Sequence, residues 1–263
     1  MTDRELHFRV DEPLSHGDRV WLFPERAKGP AGSVTLLDDA PELLPGQRFA
    51  ASEPGVLRIL SRQWWPGESG AASVRVYLAE VFQEVAPGEY RSPVLRKGPA
   101  LAWITLSDKG AAGKRTDESG PLIGELVRER LPLSLVQGYI LPDDPVRLKG
   151  LLVELALEQG FDIIMTTGGT GVGPRDITPE ATLAVIEKRL PGYERAMTNA
   201  SLAKTPHGAI SRAVAGTLGN ALVVNMPGSP KAVRECLEPL LPTLKHTLEK
   251  LQGDPSDCAL LHE

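Results

Sequence analysis

The stretch Thr166-Thr167-Gly168-Gly169-Thr170-Gly171-Val172-Gly173-Pro174-Arg175-Asp176-Ile177-Thr178-Pro179 decides how this chain is read. The apolar run before it, Phe161-Asp162-Ile163-Ile164-Met165, predicts a buried strand. Thr178-Pro179-Glu180-Ala181-Thr182-Leu183 predicts a helix start, with Thr178 at the N-cap and Pro179 at the first helical position. A strand that empties through glycines into a helix leaves bare backbone N–H groups at its carboxyl end. Open α/β sheets bind ligands there, and unpaired donors together with the helix dipole favour phosphate. Asp176 is a carboxylate set inside this anion-friendly loop, which suggests a metal or a cationic group beside the phosphate.

Working outward, strands and helices alternate. Leu101–Leu106, Ser134–Leu141 and Asp162–Met165 read as strands, and helices are predicted from Gly120, from Pro145 to Gln159, and through Leu183, Ile186 and Leu190. Arg212–Gly216 and Ala221–Asn225 predict a hairpin around Gly219-Asn220, and Pro230–Leu251 a terminal helical stretch broken by Pro239 and Pro242. Such alternation implies parallel pairing with right-handed crossovers, hence a three-layer α/β/α domain on a mostly parallel sheet.

The first hundred residues have a different rhythm. His7–Val10, Arg19–Phe23, Ser33–Leu37, Val56–Leu60 and Ser73–Phe82 are short β-like runs separated by turn formers such as Pro45-Gly46 and Pro87-Gly88. They predict a small all-β domain. The seam is Ser92–Pro99, so the chain divides into a β-rich domain at 1–97, an α/β domain at 98–253 and a C-terminal tail at 254–263. Trp64-Trp65 suits either packing over a small β core or contact with a ligand, and the area an aromatic buries favours packing.

The 263 residues carry a formal charge of −5, which argues against nonspecific nucleic-acid binding. No apolar run is long enough to span a bilayer, and the start Met1-Thr2-Asp3-Arg4-Glu5 is not that of a signal peptide. Two cysteines, Cys236 and Cys258, lie outside any CxxC or Cys/His cluster, so neither zinc nor a disulfide framework is expected. A cytoplasmic setting is the expectation.

Asp108, Asp143 and Asp176 each fall just past a predicted strand end. In a parallel sheet those ends share one rim, so three distant carboxylates would meet in one cleft beside the glycine loop. Mg²⁺ takes one or two carboxylates and completes its octahedron with water and phosphate oxygens. The alternative is that each Asp caps a helix or turn. The loop is not a Walker A motif, since no Lys-Ser/Thr follows its glycines, nor a dinucleotide fingerprint. Asn225 to Lys231 form a second strand-to-helix turn, Ser229-Pro230 starting a helix and Lys231 offering a point charge. Few cations are expected near the loop; Arg175 could pair with Asp176 or touch phosphate.

The string from Thr166 to Thr182, with Ser107-Asp108, Pro142-Asp143 and Asn225-Met226-Pro227-Gly228-Ser229-Pro230-Lys231 around it, resembles the molybdenum-cofactor biosynthesis family, in its MogA-like and gephyrin G-domain-like branch. Asp117–Pro121 and Ser211–Gly216 add local matches, and the likeness covers about residues 100 to 252. It implies a molybdopterin adenylyltransferase that moves AMP from ATP to the terminal phosphate of molybdopterin, with Mg²⁺. It also implies a homotrimer and a molybdate insertase as partner. Carried over residue by residue, Asp143 and Asp176 would be catalytic and hold the metal. Ser107, Asp108, Thr167, Gly168, Gly169, Thr170, Gly171, Thr178, Pro179, Asn225, Pro227, Gly228, Ser229 and Lys231 would bind nucleotide or pterin. A non-catalytic molybdopterin carrier is the competing reading. The molybdate-insertase branch typically has GG-[VI]-S where this chain has Gly168-Gly169-Thr170-Gly171.

Overall fold

Alternating apolar and polar residues build the first sheet of the protein, whose computed structural model describes residues 5–38, 42–50 and 57–253. Its strands are β1 (Glu5–Val10), β2 (Arg19–Pro24), β3 (Val34–Leu36), β4 (Arg48–Phe49), β5 (Leu57–Trp65), β6 (Val74–Val81) and β7 (Gly88–Pro93). They lie in the order β4-β5-β6-β2-β3-β1-β7. Beyond β7, the backbone of Leu95 bonds that of Arg48 in both directions, at 2.7 and 2.9 Å, so the two margins of the sheet nearly meet as in a barrel. The inward residues, among them Phe8, Leu22, Val34, Phe49, Leu57 and Ile59, form one core, with Phe8 edge-on to Phe49 at 5.2 Å. Val56, expected in the fourth run, lies outside the described residues, as do the tail 254–263 and Cys258.

The adjacent tryptophans part company because successive strand residues face opposite ways. Trp65 packs edge-on against Phe23 at 5.2 Å, whereas Trp64 is exposed, with the Arg75 guanidinium 4.2 Å above its ring.

The chain divides near residue 100 into two compact units, Leu133–Leu135 belonging with the first. The second begins with β8 (Ala100–Leu106), followed by α1 (Asp108–Ala111), α2 (Ser119–Arg128), β9 (Leu135–Leu141) and α3 (Pro145–Val153). A π-helical segment, Glu154–Gln159, extends α3 until Gly160 stops it in a left-handed conformation. Then come β10 (Ile163–Thr167), α4 (Thr178–Leu183), β11 (Lys188–Arg189) and α5 (Pro191–Leu202). β12 (Ala215–Leu218), β13 (Ala221–Met226), α6 (Pro230–Leu237) and α7 (Leu241–Leu251) complete the unit.

The second sheet runs β11-β12-β13-β10-β8-β9. β10 is parallel to both β8 and β13, and the expected hairpin makes β12 antiparallel to β13. The sheet is thus mixed, parallel at its centre. β10 and β13 are buried along their whole length, as apolar strands covered on both faces must be. The helices pack in two groups, α2 and α5 against α6, and α3 against α4.

Three expectations are corrected here. Thr166 and Thr167 belong to strand β10 rather than to the loop. The helix after the loop stops at Leu183, because Lys188 and Arg189 pair with Thr217 and Gly216 as an edge strand. Pro239 separates α6 from α7, but Pro242 sits in the first turn of α7, where its missing N–H costs nothing.

Candidate active site

Register sets the rim. Thr167 of β10 lies opposite Thr105 on one side and Met226 on the other, so the three central strands end level. The chain leaves β10 through Gly168 and Gly169, at φ +94° and +64°, conformations that a side chain would strain. A Cβ on Gly168 would also stand 2.6 Å from the Leu106 carbonyl oxygen.

Past this point four successive carbonyls are taken by two residues. Thr178 donates its hydroxyl to Gly168 O at 2.9 Å and its N–H to Gly169 O at 3.1 Å. Arg212 donates its backbone N–H to Thr170 O at 2.9 Å and Nε to Gly171 O at 2.8 Å. In a planar trans peptide the N–H points opposite to the C=O. The N–H groups of Gly169, Thr170, Gly171 and Val172 are therefore turned away from those partners. Among the described residues none of the four finds a protein acceptor. Consecutive unpaired amides are the kind of main-chain arrangement that binds anions; of the four residues, Gly169 is the one on the wall of the neighbouring cleft.

The cleft beside the loop, about 400 Å³, is lined by Asp108, Asp143 and Asp176 together with Lys109, Arg115 and Arg175. The three carboxylates expected on one rim thus share it. Asp143 donates its N–H to Asp108 Oδ1 at 3.1 Å. Partial burial, and then the neighbouring Asp108 charge, push the Asp143 carboxyl above its usual range, with Arg175 opposing the shift. The helix-capping duty falls on the next residue, Asp144, which accepts from Val146 and Arg147 N–H. Asp176 folds over its own loop, Oδ2 accepting from Gly173 N at 2.8 Å.

A second, smaller cleft, about 150 Å³, adjoins the first and shares Leu106, Ser107 and Arg115 with it. Its floor is Thr105, Thr167, Gly168 and Gly228. Asp117 fixes one wall, accepting from the Thr105 hydroxyl at 2.7 Å and from the N–H groups of Ser119 and Gly120. Opposite, Ser119 Oγ donates to Gly228 O and Thr167 Oγ1 to Pro227 O, which draws the Pro227-Gly228 turn against the glycine loop. A Cβ on Gly228 would be 3.3 Å from Gly168 Cα.

Of the residues expected at the site, Ser107, Asp108, Asp143, Thr167, Gly168, Gly169, Asp176 and Gly228 line these clefts. The others do not. Thr178 is not the capping side chain, because its buried hydroxyl serves Gly168; Pro179 and Thr170 are buried behind the loop, and Gly171 is held there by Arg212. Pro227 contributes its carbonyl to Thr167, and Ser229 caps α6 by accepting from Ala232 N. Asn225 is wholly buried, its amide donating to Thr166 and Thr182 and accepting from Val214 N–H, so it braces the sheet. The Lys231 side chain is exposed and runs along α6 toward Glu235, 4.0 Å away. Cations are also less scarce than expected: Arg115 touches both clefts, and Arg175 pairs with Asp108 at 2.9 Å rather than with Asp176. Arg212 and Asp117 lie within the local motifs of the sequence, but nothing in their spacing announced these roles.

Residues 102–246 match the family described as "Probable molybdopterin binding domain". The chain is 38% identical over 152 residues to the molybdopterin adenylyltransferase of Helicobacter pylori strain J99, covering 57% of this chain and 86% of that protein. It is 37% identical over 153 residues to the molybdenum cofactor synthesis protein cinnamon of Drosophila melanogaster, covering 58% of this chain but only 26% of that longer protein. The crystal structure of the molybdopterin biosynthesis enzyme MoaB from Thermus thermophilus superposes with a TM-score of 0.54 at 40% identity, over 60% of this chain and 99% of its own.

Proposed function

The chain belongs to the molybdopterin-binding-domain family through its second unit, and from that premise we propose that it transfers AMP from ATP to the terminal phosphate of molybdopterin. One observation carries this reading: a glycine loop whose amides at Gly169–Val172 have no protein acceptor borders, at Gly169, a cleft lined by three strand-end aspartates. The name of the Helicobacter pylori relative supports the same chemistry.

In the reaction an oxygen of the molybdopterin phosphate bonds to the α-phosphorus of ATP. The bond from that phosphorus to the β-bridging oxygen breaks, and pyrophosphate departs with the electron pair. A phosphate nucleophile is already ionised at neutral pH and needs no base. The work left to the protein is alignment and neutralisation of charge. The loop amides would hold phosphoryl oxygens, and Lys109, Arg115 and Arg175 would offset the polyphosphate charge. Two adjoining clefts suit two substrates that meet at a shared wall, Ser107 and Arg115.

Asp143 and Asp176 would hold Mg²⁺, which when bound neutralises the phosphate oxygens. Carboxylate oxygens suit a hard cation; since among the described residues no three acidic, His or Cys side chains gather to ligate an ion, these two would supply only part of its ligands. Such a site leaves most of the octahedron to water and phosphate.

The assay is direct. Purified chain with ATP, Mg²⁺ and molybdopterin should release pyrophosphate in step with adenylylated product; binding of molybdopterin without release would make the protein a carrier instead. A homotrimer is proposed on the same footing, and the exposed apolar residues Val146, Val153 and Leu157 offer a surface for it. Light scattering on the eluted protein decides that point.

A further inference from the structure

We propose that Arg212 is the positioning residue that keeps the phosphate cradle open, acting through the main chain and never on substrate itself. The proposal rests on the adenylyl-transfer reading only for the identity of the anion.

Glycine peptides rotate readily. Left to itself, the run Gly168-Gly169-Thr170-Gly171 would turn carbonyl oxygens toward a bound phosphate as easily as N–H groups. Thr178 fixes the first two carbonyls and Arg212 the next two, so each amide from Gly169 to Val172 is turned away from the partner of its own carbonyl and left without a protein acceptor. Arg212 reaches further than Thr178. Its Nη2 donates to Asp176 O at 2.8 Å and its Nη1 to Glu180 in the first turn of α4. One planar fork therefore ties the middle of the loop, the backbone of the metal-side aspartate and the helix that follows. An ammonium carries its donors on one atom and cannot span those three partners at once. Arg212 lines neither cleft, so its influence on a ligand must pass through the peptides it holds.

The test uses the full chain and the variants Arg212→Ala, Arg212→Lys and Glu180→Gln, all measured well below their Tm. Calorimetry gives Kd for inorganic pyrophosphate and for MgATP; pyrophosphate release gives KM and kcat. Loss of the side-chain bonds to the loop should raise Kd and KM about tenfold in Arg212→Ala, with Arg212→Lys in between and Glu180→Gln less affected. kcat should fall less than KM rises. A merely structural Arg212 would lower Tm while the folded variant kept wild-type Kd and KM, and that result overturns the proposal. Should Arg212→Ala not fold, wild-type Kd in Arg212→Lys overturns it equally. If the wild-type chain releases no pyrophosphate from ATP, yet the variants bind inorganic pyrophosphate more weakly, adenylyl transfer is lost and the role of Arg212 stands. If the wild-type chain turns over and the variants keep its KM, the reverse holds. Absence of any pyrophosphate or MgATP binding by the wild-type chain overturns both.

Discussion

Asp108 and Asp143, thirty-five positions apart, are joined through the main chain: the Asp143 N–H donates to Asp108 Oδ1 at 3.1 Å. That bond ties the turns after β8 and β9 together, with both carboxyl-bearing residues lining the same cleft. Such an arrangement costs the free protein something that a bound cation would recover.

From this follows an opposition between stability and activity. The raised Asp143 carboxyl means that its charged form is the less comfortable one in the folded protein. Asp143→Asn should therefore leave the free protein as stable as wild type at pH 7, or slightly more so, while pyrophosphate release falls about a hundredfold or more. Asp176→Asn should behave alike, because an amide oxygen can still accept from Gly173 N–H. Thermal melts and turnover measured on the same preparations check both. Wild-type rates in either variant would remove that residue from the site.

Acid should loosen the loop through Glu180. The hydrogen bond from Arg212 lowers the Glu180 carboxyl below its ordinary value. A depressed carboxylate contributes stability above its unfolded pKa, and that contribution disappears as pH falls through the lowered folded value. Wild type and Glu180→Gln should thus differ in Tm at pH 7 and converge once pH has fallen below the ordinary carboxylate range.

Gly168 should tolerate no side chain. Alanine there would meet the Leu106 carbonyl and adopt a positive φ, and the strain is about 2 kcal/mol or more. Gly113, also at positive φ but with open space around it, provides the comparison, and its replacement by Ala should cost about 1 kcal/mol. Urea denaturation of the two variants separates crowding from backbone strain.

Cys236 should be inert. It is buried against α5 and the hydrophobic surroundings push its thiol up to about 11. In a Cys258→Ser background the native protein should not react with a thiol reagent at pH 8, and full reaction should appear on adding denaturant.

The central architecture was legible because long apolar runs and glycines leave few choices. Phe161–Met165 can hardly avoid burial, and the loop after it needed φ values that Gly168 and Gly169 supply. What escaped was whatever a distant partner decides. Leu183, Ile186 and Leu190 repeat at helical spacing, yet Ile186 lies against Gly216 and the chain there joins β12. Gly88–Pro93 shows no apolar alternation and is a strand only because β1 pairs with it. The same holds at the site. Asp143 and Asp144 look interchangeable in sequence, and only the position of the helix start assigns one to capping and leaves the other to the cleft. Asn225 and Lys231 stood in a persuasive motif, but the strand buries the first and α6 carries the second into solvent.

The mutual bonds of Arg48 and Leu95 bear on how copies of this protein behave in a crowded solution. An open β-sheet offers two bare borders, and either can recruit a neighbour's strand and seed fibrils. Here each border supplies the other's partner at that point, so the position most exposed to such recruitment is already satisfied from within. Cutting the tie with Leu95→Pro should turn a well-behaved preparation into one that clouds on concentration.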